Sequence, residues 1–283
     1  MIKVPIDFIC LGVMKSGTTS LDSVLRTHPE LSLTVKRKEL HYYNNNYDKG
    51  VEWYKSFFKK KDLISDKKIV GEVSAHYLWH ELSPVRIHES VGIPKFLGIF
   101  RHPVLRAYSH WKHQVINHGG TLDFKREFAE HSNMYELGLY GNQLQRYFEI
   151  FNKDNFCLFL FDDFLNDNAG TLKKIAEFLD IDPNGFHPDA LSNARKNESV
   201  MPRFQYFYNF LQKITRHLRS NGHHFIPNMT SKLKIGRLFK SKNNRIPSIS
   251  SNDYNEILKY YQDDILLFQK LSGLEVSSWL DEK

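Results

Sequence analysis

A loop rich in glycine and hydroxyl residues near the N-terminus has the composition of an anion-binding site. Residues 12–19 read Gly-Val-Met-Lys-Ser-Gly-Thr-Thr, follow a short apolar strand pattern and precede a helical pattern. In a strand–loop–helix unit the backbone N–H groups and the helix dipole favour negative charge, and Lys15 adds a full positive charge. Lys15 follows Gly12 by three residues, unlike the Gly-x4-Gly-Lys-Ser/Thr spacing of an NTPase P-loop. The loop therefore predicts a phosphate site that is not of the ATP type; a turn that only caps a helix is the alternative.

A second candidate phosphate contact follows another apolar strand pattern, at residues 96–100. Arg101 comes at the end of this strand, Pro103 suits the first turn of a new helix, and Ser109 falls about two turns into that helix. A guanidinium can bind a phosphate through two parallel hydrogen bonds, and a hydroxyl can add another. Arg101 and Ser109 therefore predict a second phosphate contact, with a surface salt bridge of Arg101 as the alternative.

With both motifs in this order, the chain resembles the sulfotransferases that use 3′-phosphoadenosine 5′-phosphosulfate. The resemblance is greatest to the carbohydrate branch that includes the heparan sulfate enzymes, in the form of a bacterial-type soluble member. Further segments that match the family's pattern are residues 27–31, 38–43, 50–54 and 140–147. The resemblance implies an α/β fold with a central parallel sheet flanked by helices, the three-layer, P-loop-NTPase-like sulfotransferase fold.

The resemblance also implies which residues bind the sulfonate donor. In the family the first loop holds the 5′-phosphosulfate, and the arginine and serine of the second motif hold the 3′-phosphate. The donor-binding residues implied here are Lys15, Ser16, Gly17, Thr18 and Thr19 for the 5′-phosphosulfate, Arg101 and Ser109 for the 3′-phosphate, and Lys242 and Arg245 from a basic loop that closes over the nucleotide.

Sulfonate transfer needs a base for the proton of the acceptor and positive charge for the departing phosphate. Lys15 and the loop N–H groups supply the charge. Glu39 matches the family's catalytic glutamate and is the first candidate base. His41 is the second, because alternate residues of an extended segment share a face and its ordinary pKa suits proton transfer. The structural alternatives are that Glu39 only pairs with Arg37 or Lys36 and that His41 caps a turn. No metal is expected.

One segment departs from the family's pattern. Heparan-type members often read Glu-Lys-Ser/Thr-Pro-Ala-Tyr, whereas residues 72–77 here read Glu-Val-Ser-Ala-His-Tyr. Val73 thus replaces the lysine that would help to neutralise the transferring sulfonate. Either Lys15 carries this role alone or His76 contributes to it.

The formal charge of +7 is distributed unevenly along the chain. Residues 195–245 contain twelve Lys or Arg and one Glu, a net charge of +11, which leaves −4 for the rest of the chain. Such asymmetry predicts an anionic partner, for which an anionic glycan acceptor and a peripheral membrane contact are candidates. A solvated basic face is the alternative. Nucleic acid is not expected as a partner because no recognised binding module accompanies the charge.

The apolar patterns predict one domain, 1–283, with a basic, loop-rich insertion at about 200–245. Strand patterns alternate with helical ones, which favours a parallel sheet covered on both faces. The predicted strands are residues 6–11, 68–73, 95–100 and 156–161, and the predicted helices lie near 18–26, 103–117, 138–151 and 169–179, with a last helix from a capping box at 253–256 to about 271.

Cysteine use and the N-terminal sequence predict a cytoplasmic location. Cys10 and Cys157 both fall in apolar strand patterns, so buried free thiols are expected rather than a disulfide. The N-terminal residues enter the first strand without the apolar core of a signal peptide. No apolar run approaches the roughly 18–20 residues that span a bilayer.

Together these observations predict a sulfotransferase that moves a sulfonate group from 3′-phosphoadenosine 5′-phosphosulfate to a hydroxyl of a carbohydrate or glycolipid. Two other classes of protein stay open. A P-loop kinase of a small metabolite is disfavoured by the position of Lys15. A non-catalytic protein that binds polyanions or membranes on the same fold would require that the donor does not bind.

Overall fold

Five parallel strands form the centre of the computed structural model, which describes residues 4–64, 68–118, 121–187 and 246–283. The strands are β1 (Phe8–Gly12), β2 (Leu31–Leu33), β3 (Ile69–Val73), β4 (Lys95–Phe100) and β5 (Phe156–Leu160). They pair in the order β2-β3-β1-β4-β5, and every pairing between them is parallel. The strand order reverses at β1, so the carboxyl ends of β1 and β4 border the crevice where open α/β sheets bind ligands.

Helices cover both faces of this sheet. The described α-helices are α1 (Thr18–Leu25), α2 (Tyr42–Asn45), α3 (Gly50–Lys55), α4 (Lys60–Leu63), α5 (Ser83–Ser90), α6 (Pro103–His118), α7 (Phe124–Glu130), α8 (Ser132–Glu136), α9 (Tyr140–Phe148), α10 (Phe161–Asn166), α11 (Asn168–Leu179), α12 (Ser251–Leu258) and α13 (Gln262–Ser272). Within the described ranges, none of them combines the length and apolar character needed to cross a membrane.

The alternation of strand side chains explains the three layers. Ile9 and Leu11 of β1 pack into one core with α6, α9 and α13, whereas Phe8 and Cys10 pack into another with α1 and α11. Successive residues of a strand point to opposite faces, so a strand apolar on both faces must be covered on both sides. The predicted three-layer α/β fold is confirmed. Cys10 and Cys157 are buried free thiols, as predicted.

Three parts of the predicted element pattern are wrong. The short helices α2–α5, α7, α8 and α10 are missing from it. The strand β2 is missing from it, because three residues are too few to show a period. The last helix is two helices, and its cap is Ser250, whose side chain accepts a hydrogen bond from Asp253 N–H. The break lies at the buried Tyr261, whose hydroxyl donates to the carbonyls of Met134 and Tyr135. The predicted basic insertion at about 200–245 lies outside the described residues.

A buried carboxyl group sits in the sheet beneath the crevice. Glu72 of β3 is fully buried and accepts a hydrogen bond from the Tyr54 hydroxyl at 2.6 Å. Burial raises the pKa of Glu72 from 4.5 to about 7, and the Tyr54 hydrogen bond opposes that rise only in part. The folded protein therefore keeps a proton on Glu72 at pH values where the unfolded chain has lost it.

We expect the Glu72→Gln variant to be more stable than the parent protein at about pH 8. Below pH 4.5 Glu72 is protonated in both the folded and the unfolded protein, and its contribution to stability is fully present. As the pH rises from 4.5 to about 7, Glu72 ionises in the unfolded chain first, and the free energy of unfolding falls by roughly 3 kcal/mol. Glutamine can still accept the Tyr54 hydrogen bond and carries no charge. Urea unfolding should show a gain at pH 8 and little change near pH 4.5. An equal effect at both pH values would contradict a raised pKa of Glu72 in the folded protein.

Candidate active site

The first predicted phosphate loop connects β1 to α1 as expected. Gly17 lies at the N-cap of α1 with φ 91°, and a Cβ there would come within 2.6 Å of the Phe161 ring, so glycine is required. Gly17 has no side chain to cap α1, which leaves the first helical N–H groups, from Thr18 onward, available to a ligand. Lys15 and Gly17 are half-buried, Ser16 and Thr18 are buried, and Thr19 is exposed.

The second predicted phosphate motif meets this loop. Arg101 follows the carboxyl end of β4, and its Nη1 donates to the Lys15 carbonyl at 3.5 Å. The guanidinium lies over the Phe161 ring, 5.1 Å from its centroid. The Tyr140 hydroxyl, at the start of α9, donates to the Arg101 carbonyl at 2.9 Å and holds this turn of backbone. Ser109 is half-buried in α6, which begins two residues after Arg101.

Two cations border the crevice, and the carboxylates that influence them, Glu39 for Lys15 and Asp162 for Arg101, act at a distance rather than in contact. Within the described part of the chain, neither Lys15 nor Arg101 makes an ion pair with a carboxylate. Burial lowers the pKa of Lys15, and the positive charges of Arg101 and Lys112 lower it further. Burial likewise lowers the pKa of Arg101. Clustered cations that are partly desolvated gain free energy from a bound anion, so the electrostatics favour a polyanionic ligand.

The segment with the predicted bases is not extended. Glu39 and His41 adopt left-handed backbone conformations with φ 57° and 53°, so the expectation that they share a face of an extended segment is wrong. Their side chains nevertheless approach each other, with 3.9 Å between Glu39 Oε2 and His41 Nε2. Lys38 joins this segment to the phosphate loop, because its Nζ lies 3.2 Å from Glu39 Oε1 and 3.0 Å from Thr19 Oγ1.

Backbone strain coincides with the predicted catalytic residues. Among the described residues, four other than glycine have positive φ: Lys15, Glu39, His41 and Asp180. The left-handed conformation costs about 1–2 kcal/mol for such residues and concentrates at functional sites. Three of the four are the residues that the sequence predicts as catalytic.

The contacts of the two candidate bases resemble their structural alternatives in part, so the catalytic roles stay predictions. Glu39 does form an ion pair, but with Lys38 rather than with Arg37 or Lys36, and His41 occupies the N-cap of α2 without a capping hydrogen bond from its side chain. Asn44 Nδ2 lies 3.4 Å from His41 Nδ1, on the side of the ring away from Glu39. At 3.9 Å from Glu39 Oε2, His41 Nε2 faces the carboxylate without forming a direct hydrogen bond to it.

His76 completes the cluster from the turn after β3. Its ring centroid lies 5.2 Å from that of His41, and within the described residues its buried Nδ1 has no hydrogen-bond partner. Burial lowers the pKa of both His41 and His76, so both imidazoles are neutral near pH 7. Val73, at the position of the family's lysine, packs into the core beneath α1.

The same three side chains could in principle hold a cation. Donor atoms of Glu39, His41 and His76 all lie within 4.8 Å of one another, and two imidazoles with one carboxylate are a familiar metal-binding set. Lys38 touches Glu39, and Lys15 lies close enough for the two charges to affect each other, which disfavours a second positive charge here. The absence of a metal requirement stays a prediction.

Several site residues were missed by sequence reasoning. Lys38 stands in the same motif as Glu39, so its position was a usable signal, but its contact with Thr19 was not predictable. Arg106 is fully buried in α6 and donates to the Met134 carbonyl. Its charge, together with burial, lowers the pKa of His110 to about 3. The predicted donor contacts Lys242 and Arg245 lie outside the described residues.

A comparison with models of protein families shows which family this chain belongs to. The family model for the sulfotransferase domain matches residues 5–202, more than half of the chain. The chain belongs to the sulfotransferase domain family. A sulfotransferase from Alicyclobacillus acidocaldarius superposes on it with a TM-score of 0.69 over 98% of this chain and 99% of the other, at 18% identity, which shows the shared fold.

Curated relatives of this sulfotransferase-family chain include enzymes of the heparan sulfate branch. The membrane-associated sulfotransferase kil1 of Dictyostelium discoideum is 30% identical over 52% of this chain and 32% of its own length. The mouse bifunctional heparan sulfate N-deacetylase/N-sulfotransferase 4 is 25% identical over 98% of this chain and 31% of its own length. The mouse heparan sulfate glucosamine 3-O-sulfotransferase 6 is 25% identical over 61% of this chain and 52% of its own length. The chain thus spans about a third to a half of the length of these relatives.

Proposed function

We propose that this chain transfers a sulfonate group from 3′-phosphoadenosine 5′-phosphosulfate to a hydroxyl of a carbohydrate or glycolipid. The observation that carries the proposal is the meeting of the Lys15 loop, Arg101 and Glu39 at one edge of the sheet, with Lys38 linking loop and carboxylate. Membership of the sulfotransferase family supports the reaction class. Relatives named as heparan sulfate enzymes support a carbohydrate acceptor.

The residues present suit the donor. Two cations without carboxylate partners, Lys15 and Arg101, stand at neighbouring strand ends, and the uncapped start of α1 adds N–H donors. In this proposal the loop residues 15–19 bind the 5′-phosphosulfate, and Arg101 with Ser109 binds the 3′-phosphate. Lys242 and Arg245 are proposed as further donor contacts. When bound, the donor supplies a sulfonate group attached to a phosphate leaving group.

In the proposed step one residue acts on the acceptor hydroxyl and another acts on the leaving phosphate. Glu39 accepts the proton of the acceptor hydroxyl while the hydroxyl oxygen forms its bond to sulfur. Lys15 and the loop N–H groups stabilise the phosphate oxygen that keeps the electron pair when its bond to sulfur breaks. His41, whose Nε2 lies 3.9 Å from Glu39 Oε2, is proposed to help orient the carboxylate. The anionic character of the acceptor and contact with a membrane rest on residues 195–245 and stay predictions of the sequence.

The test compares nucleotides and then acceptors. We expect 3′-phosphoadenosine 5′-phosphate to raise the melting temperature and ATP to have no comparable effect, because a ligand stabilises only the protein that binds it. Sulfonate transfer from the full donor to a panel of glycans and glycolipids is then followed by mass spectrometry. Stabilisation by ATP alone would favour the kinase alternative. Stabilisation by neither nucleotide would favour the non-catalytic alternative.

The role of Arg101 can be tested by the 3′-phosphate itself. We expect Arg101→Ala to weaken binding of 3′-phosphoadenosine 5′-phosphate by about 2–4 kcal/mol, since a charge-assisted, bidentate contact is lost. Binding of adenosine 5′-phosphosulfate, which lacks the 3′-phosphate, should change much less. Calorimetry measures both. Arg126→Ala is the matched control, because Arg126 is exposed on α7 and, among the described residues, forms its ion pair with Glu130, away from the crevice. Equal losses for the two ligands would remove Arg101 from this role.

A further inference from the structure

One buried hydrogen bond joins the segment of the candidate bases to the turn that follows β3. The backbone N–H of Tyr42 donates to the Tyr77 hydroxyl at 2.8 Å. Tyr42 directly follows His41, and Tyr77 directly follows His76. The bond therefore ties together the two residues that come next after the histidines of the cluster. Tyr77 itself takes no part in the proposed step.

The position of Tyr77 is fixed by the sheet and by α9. The side chain is fully buried, and the Tyr147 hydroxyl donates to the Tyr77 carbonyl at 2.8 Å. The next residue, Leu78, donates its N–H to the Leu11 carbonyl of β1, the central strand of the sheet, at 3.2 Å. The Tyr77 hydroxyl is thus an acceptor at a place that the core of the fold determines.

The segment of the candidate bases needs an anchor of this kind. The His41 carbonyl accepts hydrogen bonds from the backbone N–H groups of Asn45 and Asn46, which set the shape of α2 but not its place over the sheet. Glu39 and His41 have left-handed backbone conformations, which persist only where surrounding contacts over-determine them. The hydrogen bond to Tyr77 supplies such a contact one residue after His41.

Aromatic packing keeps this hydrogen bond away from water. Tyr42 stacks on Tyr54 with 4.5 Å between the ring centroids, and Tyr43 packs edge-on against Tyr77 at 5.2 Å. All four side chains are at most 1% exposed. Without the Tyr77 hydroxyl the buried Tyr42 N–H would lose its acceptor, and a shift of the segment would relieve the cost of an unpaired donor.

We propose that Tyr77 is a positioning residue for sulfonate transfer, because its hydroxyl holds the backbone that carries Glu39 and His41. The inference rests on the proposed function, in which Glu39 is the base. Tyr77 acts through the Tyr42 N–H and touches neither donor nor acceptor. Its ring packs the core, whereas its hydroxyl sets the place of the base.

The variant Tyr77→Phe removes the hydroxyl and keeps the ring. We expect kcat to fall by about 10–10²-fold, because a misplacement of roughly 1 Å can cost the upper figure. The affinity for 3′-phosphoadenosine 5′-phosphate and the KM of the acceptor should not change measurably. The Tyr42 amide should exchange its hydrogen faster than in the parent protein. The acceptor is the glycan or glycolipid of the panel that the parent protein sulfates fastest.

A double-mutant cycle distinguishes positioning of the base from a general structural effect. If Tyr77 acts through Glu39, then Tyr77→Phe should lower kcat no further in a protein that already carries Glu39→Gln. Two independent effects would instead multiply.

Tyr261→Phe is the matched control. Tyr261 is also fully buried, and its hydroxyl donates to the Met134 and Tyr135 carbonyls, away from the segment of the candidate bases. We expect this variant to lose a comparable amount of melting temperature and to keep the kcat of the parent protein.

The outcomes separate failure of this role from failure of the proposed function. If the parent protein transfers sulfonate but Tyr77→Phe keeps its kcat, or its effect multiplies with that of Glu39→Gln, the positioning role is overturned and the proposed function stands. An equal loss of kcat in Tyr261→Phe also overturns the role, since any buried hydroxyl would then suffice. If the parent protein neither binds the nucleotide nor sulfates any member of the panel, the proposed function is overturned and the role of Tyr77 with it.

Discussion

Replacing Lys15 by methionine should lower the rate of sulfonate transfer by about 10²–10³-fold, the usual effect of removing one group that stabilises developing negative charge. Methionine keeps the unbranched apolar stem of the side chain and removes the ammonium group with its charge and its N–H donors. The effect should fall mainly on kcat, because the charge on the phosphate oxygen develops as the bond to sulfur breaks. The measurement is kcat and KM for the acceptor, with nucleotide affinity determined by calorimetry.

Lys36→Met is the matched control for this variant, because Lys36 is exposed in the segment before Lys38 and Glu39. We expect it to leave turnover unchanged. The position of Val73 makes the comparison informative, since the family's additional lysine is absent and its place is occupied by an apolar side chain in the core. If Lys15→Met kept turnover within about tenfold of the parent protein, the leaving phosphate would be stabilised by other groups, and His76 would be the first candidate.

Glu39→Gln should lower turnover by about 10²–10⁴-fold while affinity for 3′-phosphoadenosine 5′-phosphate stays unchanged. The amide oxygen can still accept the Lys38 hydrogen bond, so the shape of the site is retained and only the basicity is lost. His41→Ala should have a smaller effect, because His41 is proposed to orient Glu39 rather than to accept the proton. An active Glu39→Gln with an inactive His41→Ala would reverse the two roles.

The pH dependence of the same variants adds an independent readout. Burial lowers the pKa of His41 and His76, so both imidazoles stay neutral at pH values below the ordinary 6.5 and become charged only under more acidic conditions. We therefore expect any loss of turnover caused by their protonation to lie below pH 6.5. An acid limb above that value, still present in His41→Ala and His76→Ala, would have to come from another group. If Glu39→Gln also lost nucleotide binding, Glu39 would have a structural role rather than that of the base.

The strained conformations of Lys15, Glu39 and His41 give these predictions a common physical basis. Each residue adopts a backbone conformation that an ordinary side chain avoids, and the contacts of Lys38 and Asn44 hold the segment together. Strain of this kind persists only where surrounding contacts over-determine it. A substitution of Lys38 would therefore act on Glu39 and on the phosphate loop together, which makes Lys38 a positioning residue for both.

The sequence by itself determined the fold class and the two phosphate motifs. Both are local signals: an apolar strand, a short turn and a helix follow one another within about twenty residues around Lys15 and again around Arg101, with Gly17 in the first turn and Pro103 after the second. Parallel strands place their carboxyl ends at one edge of the sheet, so motifs that follow β1 and β4 had to meet there. The observed contact between Arg101 and the Lys15 carbonyl follows from that topology.

Only the tertiary structure decided how the remaining groups come together. The approach of His76 to His41 and the bridge from Lys38 to Thr19 each join segments that are distant in sequence. No period or turn signal encodes such contacts, because they depend on how helices pack over the sheet. The left-handed conformations of Glu39 and His41 were likewise invisible, since positive φ is uncommon for every residue type other than glycine and depends on the packed surroundings.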